Sequence, residues 1–204
     1  SNVAIGKSAM VSCTTGGENV AIGESALQSV LTGSAANIAI GFYAMRNVDE
    51  GDGDGDADYN IAIGYDALKG GDFGSGNDGK DLKHNIAIGF QAMDATNTDS
   101  QTGTIAIGKD SLGALTSGAG NTAIGYESAK TNNTGYKNTA LGWSSFYTNQ
   151  TGYSNTAIGA EALYYTTSDE NVAVGDRAGA YTTGDANTYV GFKSGFGASG
   201  AEAN

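Results

Sequence analysis

One pentapeptide, Asn-(Val/Ile/Thr)-Ala-(Ile/Leu/Val)-Gly, returns at near-regular intervals, as in Asn121-Thr122-Ala123-Ile124-Gly125 and Asn155-Thr156-Ala157-Ile158-Gly159. Copies start at Asn2, Asn19, Asn37, Asn60, Asn85, Thr104, Asn121, Asn138, Asn155, Asn171 and Asn187, eleven in all. The steps between them are 17, 18, 23, 25, 19, 17, 17, 17, 16 and 16 residues. Such a period marks a stacked architecture, in which no unit can bury its apolar face alone and each is covered by its neighbours. A helical repeat unit needs more than about 30 residues for its helix pair, and units this short and glycine-bearing exclude one.

Read down its columns, the cassette has the two-residue period of a strand. Glycine closes every copy: Gly6, Gly23, Gly41, Gly64, Gly89, Gly108, Gly125, Gly142, Gly159, Gly175 and Gly191. The third place is alanine except at Tyr189, and the fourth is always Ile, Leu or Val. Places two and four then share one face, expected to be core. Places three and five share another, where Ala and Gly admit the close approach of a neighbouring backbone. The asparagine column fits a ladder of stacked side-chain amides at the entry to each strand. About three residues past the glycine comes a small-large pair at Ala26-Leu27, Ala44-Met45, Ala67-Leu68, Ala92-Met93, Ser111-Leu112 and Ala162-Leu163, expected to form a second short strand. Segments such as Thr131–Lys137 carry turn chemistry.

The expected fold is therefore all-β, a parallel β-solenoid (β-roll) of about eleven short coils. At about 4.8 Å per layer the stack is a rod on the order of 50 Å long. The whole of 1–204 reads as a single repeat domain, part of a longer fibre protein, with long loop insertions at 46–59 and 69–84. Proline is absent and glycine numbers 33. With no proline, no backbone donor is missing from the ladder.

A formal charge of −12 argues against nucleic acid, whose phosphates call for basic patches. No apolar run is long enough to span a bilayer, and no basic-then-apolar signal segment opens the chain. Cys13 is alone, which fits a small buried apolar role. The single histidine, His84, has no recurring Ser or Asp partners and reads as a solvent-facing turn residue.

Carboxylates cluster in the insertions. The first holds Asp49, Glu50, Asp52, Asp54, Asp56 and Asp58; the second holds Asp72, Asn77, Asp78 and Asp81. Alternation at Asp52, Asp54, Asp56 and Asp58 resembles the start of a calcium loop, making calcium the one cofactor to consider. Ala57 stands where such a loop has glycine, and no closing bidentate glutamate follows; a solvated acidic loop is the plainer alternative. The residue after each cassette glycine is aromatic at Phe42, Tyr65, Phe90, Tyr126, Trp143 and Phe192. These rings suit either an interface between chains or the stacking of a glycan. Asn132 and Asn149 open Asn-x-Thr glycosylation sequons.

The eleven-fold cassette with its small-large pairs resembles the head repeats of trimeric autotransporter adhesins, over nearly the whole chain from Asn2 to about Gly197. It is also similar to repeats of phage tail-fibre and bacterial surface proteins that carry a self-cleaving chaperone domain at their C-terminus. The resemblance implies a left-handed parallel β-roll, three chains side by side in a homotrimer, displayed outside the cell or on a virion. The repeat here is longer than the usual adhesin-head period. The expected function is a non-enzymatic extracellular fibre or adhesin segment, supporting or mediating attachment to a host surface protein or glycan receptor. Two alternatives remain. A tailspike-like solenoid that binds or cleaves polysaccharide would need recurrent carboxylates in a groove, with Asp72 and Asp78 as candidates. An ice-binding solenoid would need flat threonine arrays, and Thr122, Thr139, Thr156 and Thr188 supply one per layer.

Overall fold

The computed structural model describes residues 1–29, 33–48, 57–70, 81–96 and 100–197. Eleven three-residue strands carry the cassettes: β1 (Val3–Ile5), β2 (Val20–Ile22), β3 (Ile38–Ile40), β5 (Ile61–Ile63), β7 (Ile86–Ile88), β9 (Ile105–Ile107), β10 (Thr122–Ile124), β11 (Thr139–Leu141), β12 (Thr156–Ile158), β13 (Val172–Val174) and β14 (Thr188–Val190). They form one parallel sheet in that order. Register is set like on like, with Ala21 opposite Ala39 and Ile40 opposite Ile63. Two-residue strands β4 (Ala57–Asp58), β6 (Leu82–Lys83) and β8 (Gln101–Thr102) make a second parallel sheet just ahead of three of the cassettes. No helix occurs among the described residues, so none is long and apolar enough to cross a membrane. The chain is a parallel β-solenoid.

Each coil is hydrogen-bonded to the next well beyond its strand. Gly41 N–H donates to the Ile22 carbonyl (2.8 Å), Leu27 N–H to Ala44 (3.0 Å) and Met45 N–H to Ala67 (3.1 Å). The small-large pairs therefore do join a ladder, yet they are turns and not the expected second strand. Leu27, Met45, Leu68, Met93, Leu112, Phe146 and Leu163 all sit at φ between 47° and 54°. The residues two places earlier, such as Ser25 (φ 55°) and Gln91 (φ 52°), are left-handed too. A third left-handed corner falls just before the next cassette, at Glu18, Tyr59, Lys137 and Ser154 among others. Left-handed backbone costs an L-residue roughly 1–2 kcal/mol, most for β-branched side chains. None of the described non-glycine residues at positive φ is Val, Ile or Thr.

The two faces of the strand are the reverse of the sequence expectation. The cassette alanines point inward: Ala21, Ala39, Ala62, Ala87, Ala106 and Ala157 are wholly buried, against the equally buried Leu27, Met45, Leu68, Met93, Leu112 and Leu163 of the wall opposite. The flanking Ile, Val and Thr side chains point outward and stay half-exposed. A coil of about 17 residues is too narrow to hold branched side chains from both walls. One wall supplies large residues and the other supplies methyl groups. The motif glycines meet backbone, as expected for that column: a Cβ on Gly6 would lie 2.5 Å from the Gly23 carbonyl oxygen, and φ there is 131°. In the last coil Tyr189 replaces alanine, and its ring is bordered by Gly179 of the preceding coil and Gly195 of its own, which stand where most other coils have a large residue.

The asparagine column runs buried inside the coil corner. Asn37 N–H donates to Asn19 Oδ1 (2.9 Å), Asn60 N–H to Asn37 Oδ1 (2.9 Å) and Asn85 N–H to Asn60 Oδ1 (3.0 Å). The same chain resumes from Asn121 through Asn138, Asn155 and Asn171 to Asn187. Each Nδ2 also donates to a carbonyl of the coil wall; Asn121 reaches Gly135 (2.8 Å) and Asn138 reaches Gly152 (2.7 Å). A buried amide is stable only when its donors and acceptors are met, and this column meets them from the next rung.

Candidate functional site

With the core closed, the surfaces are what can act. One runs the length of the stack, the outer face of the eleven-stranded sheet. Places two and four of each cassette turn outward, and every one is Val, Ile, Leu or Thr. The residue after the glycine, two places further on, extends the same side as a third column. The face is about 50 Å long and over 10 Å wide, on the order of 600 Å². That is at or above the largest apolar patch of an ordinary monomer. Val3 and Ile5 are 48% and 59% exposed, and Val190 67%, because the terminal strands lack a covering neighbour on one side.

In the third column Phe42, Tyr65 and Phe90 stack in sequence, with centroids 5.2 Å apart and planes 10° from parallel. Lys109 follows, its amine 5.9 Å from the Phe90 ring centre and 5.2 Å from that of Tyr126. Tyr126 then stacks on Trp143 at 6.5 Å. Phe192 is 71% exposed beside Lys193. Ring faces spent on neighbouring rings are not free to carry a sugar, which leaves the column presenting mainly apolar edges.

The second wall carries charge and a cleft. The place that holds Lys69, Asp94 and Lys130 in their coils is Gly113 in the coil between the last two, and the missing side chain opens a hollow of about 340 Å³. Gln91, Asp94, Asp110, Lys130 and Thr131 border it. Lys130 Nζ donates to Glu127 (2.7 Å) and to Asp110 (3.2 Å), and those partners, Glu127 foremost, hold its ammonium well above the usual lysine range. Burial pushes the Asp94 carboxyl up; Lys69 at 3.8 Å opposes that shift, while Asp66 and Asp110 add to it. Asp66 Oδ1 and Asp94 Oδ1 are buried without a hydrogen-bond partner. This is a mixed ion cluster whose charges largely answer one another.

Of the calcium candidates, Asp52, Asp54 and Asp56 lie outside the described residues, as do Asp49, Glu50, Asp72, Asn77 and Asp78. Asp58 is in β4, where its Oδ1 accepts the Ala35 N–H at 2.6 Å. Asp81 pairs with Lys83 at 3.0 Å. Among the described residues no three His, Cys, Asp or Glu groups converge as a metal site. His84 is exposed and stacks on Tyr59 at 5.1 Å, in the left-handed corner before its cassette. Cys13 lies half-buried against the edge of the core. The sequon asparagines Asn132 and Asn149 are wholly buried, so neither side chain can reach a glycosylating enzyme in the folded coil. Thr122, Thr139 and Thr156 stand half-exposed on the outer face, with Ile or Leu two places on, so the threonines form a single file and no flat array.

Sequence reasoning missed the apolar face because it assigned those side chains to the core. It missed the cleft because its residues come from consecutive coils and the hollow is made by a glycine. Comparison with known proteins returns no match: no family model, no curated protein and no solved structure is significantly similar to the chain.

Proposed function

We propose that this chain is a structural segment of an extracellular adhesive fibre, a non-enzymatic rod that assembles with two further copies through the outer face of its eleven-stranded sheet. The observation that carries the reading is that face. It bears no charge at places two and four of any cassette, in a chain whose net charge is −12. Copies repel one another on most approaches, and the uncharged strip is where contact costs least and buries most. Three such strips facing a common axis would cover each other along the full rod. The cassette's resemblance to trimeric adhesin heads and tail-fibre repeats supports three chains and surface display. In this reading the fibre holds a receptor-binding part at a distance or meets a protein or glycan receptor itself.

The test is to place charge on the strip. Ile88→Glu combined with Ile107→Glu should leave the far-ultraviolet circular dichroism of the coil intact, because both side chains lie outside the core. The same variant should sediment as a monomer where the unaltered chain is a trimer. An unchanged oligomer would defeat the assignment of this face. The polysaccharide-cleaving alternative rests on Asp72 and Asp78, which lie outside the described residues, and no other observation favours it.

A further inference from the structure

The tyrosines are not scattered. Six of the eleven lie ring on ring with a tyrosine one coil away: Tyr136 with Tyr153 (5.1 Å, 7° between planes), Tyr147 with Tyr164 (5.0 Å, 2°) and Tyr165 with Tyr181 (4.8 Å, 24°). Tyr164 also meets its chain neighbour Tyr165 at 4.5 Å, but edge to face (65°) rather than ring on ring. The other five have different neighbours. Tyr43 packs on Phe42, Tyr59 on His84, Tyr65 between Phe42 and Phe90, and Tyr126 on Trp143; Tyr189 fills the space left by Gly179 and Gly195. The six paired rings stand off the sheet face. Tyr136, Tyr165 and Tyr181 are 41–49% exposed, and the remaining three are half-buried. Rung hydrogen bonds fix the spacing: Thr148 N–H and Oγ1 both donate to the Tyr164 carbonyl (3.0 and 2.8 Å), and Tyr165 N–H donates to Ala180 (2.8 Å).

We propose that Tyr136–Tyr153, Tyr147–Tyr164 and Tyr165–Tyr181 are sites of oxidative phenol coupling that staple neighbouring coils through dityrosine links. The oxidant is a peroxide acting through a haem peroxidase. Each phenol gives up one electron and its hydroxyl proton, leaving two phenoxyl radicals side by side. A carbon–carbon bond forms between the ring positions ortho to the oxygens. The hydrogen on each coupled carbon then moves to its oxygen, restoring two phenols. Overall two tyrosines and one hydrogen peroxide give one dityrosine and two waters. A radical on Tyr65 or Tyr126 meets a phenylalanine or tryptophan ring at that distance, so the pattern of links is set by which ring the stack supplies. Tyr136 in the first pair and both members of the third are exposed to the oxidant, and the second pair, Tyr147–Tyr164, is half-buried on both rings. A stapled rod would hold its coils when denaturant opens the hydrogen-bond ladder.

The experiment treats dilute intact protein, mixed from isotope-labelled and unlabelled chains, with a haem peroxidase and limiting hydrogen peroxide. Digestion and mass spectrometry then map the links. The expected result is dityrosine within single chains, two hydrogens lighter per link, at the three named pairs, with a raised denaturant midpoint. Tyr153→Phe should remove only the first link and Tyr164→Phe only the second, with circular dichroism unchanged because the ring stack is kept. Links mapped mainly to Tyr43, Tyr59, Tyr65 or Tyr126, links that join only different chains, or no links at all would overturn the proposal. None of these outcomes depends on how many copies assemble.

Discussion

At residue scale the asparagine column shows why one side-chain type is repeated so strictly. A carboxamide offers an acceptor to the next rung's N–H and a donor to the wall at once, from a stem short enough to stay in the corner. Thr104 interrupts it. Its N–H still donates to Asn85 Oδ1 (3.0 Å), but its hydroxyl is buried without a partner. The wall carbonyl fourteen residues on, which Asn2, Asn121 and Asn138 each use in their own coils, is here Gly118, and Asn121 reaches back to it at 3.2 Å. Thr104→Asn should join the two halves of the ladder and stabilise the coil by about 1 kcal/mol per hydrogen bond gained. A denaturant midpoint that falls would contradict the ladder's role. Asp94 gives a pH-dependent counterpart. Its folded pKa lies above the unfolded value, so the native state holds the proton more tightly and stability falls as pH rises through the raised pKa. Asp94→Asn should therefore be more stable than the unaltered chain at neutral pH, with the difference shrinking as pH falls through that range.

At the scale of the coil, packing is a trade between two walls. In most coils alanine on the strand faces Leu, Met or Phe on the turn, and at the end of the rod the sizes are exchanged, Tyr189 of the last coil facing Gly195 of its own coil and Gly179 of the preceding one. A Cβ on Gly179 would lie 2.8 Å from Cδ2 of both Tyr189 and Leu163, so Gly179→Leu alone should destabilise. Tyr189→Ala alone leaves a void, costing about 3 kcal/mol at most. The double variant gives the tenth coil the alanine–leucine pairing of several earlier coils, the introduced leucine now filling space left by the removed ring, and should recover stability, with a coupling of about 0.5–3 kcal/mol read from a double-mutant cycle. Strict additivity would contradict the size exchange. This same economy explains what the sequence did and did not disclose. The cassette's period and glycine-ended strands are legible because a parallel in-register stack places like on like. Which face is inward is not, since hydropathy favours Ile over Ala and only the narrow bore of the coil reverses the choice. The left-handed turns at Leu27, Met45 and Phe146 are hidden for a related reason: large L-residues seldom adopt that backbone, and only the absence of Val, Ile and Thr from such places betrays it.

At the scale of the whole molecule, the fold disposes of its edge problem along the rod but leaves one broad apolar side uncovered. Neighbouring strands shield one another within the sheet, and among the described residues the side chains at places two and four stay at least partly exposed on its outer face. The aromatic column at its margin and the uncharged columns of Val, Ile, Leu and Thr beside it together have the length of a full interface. Charge enters this side only at its margin, where Lys7, Glu24, Lys109 and Asp176 take the aromatic column's place in four coils. The cleft at Gly113 was not legible for the reason that solenoid surfaces rarely are: its members, Gln91, Asp94, Asp110 and Lys130, are neighbours only after coiling. Assembly through the apolar face is the central claim, and analytical sedimentation of the unaltered chain at several concentrations addresses it most directly. The expected result is an elongated trimer that persists on dilution, and a compact monomer would contradict the account.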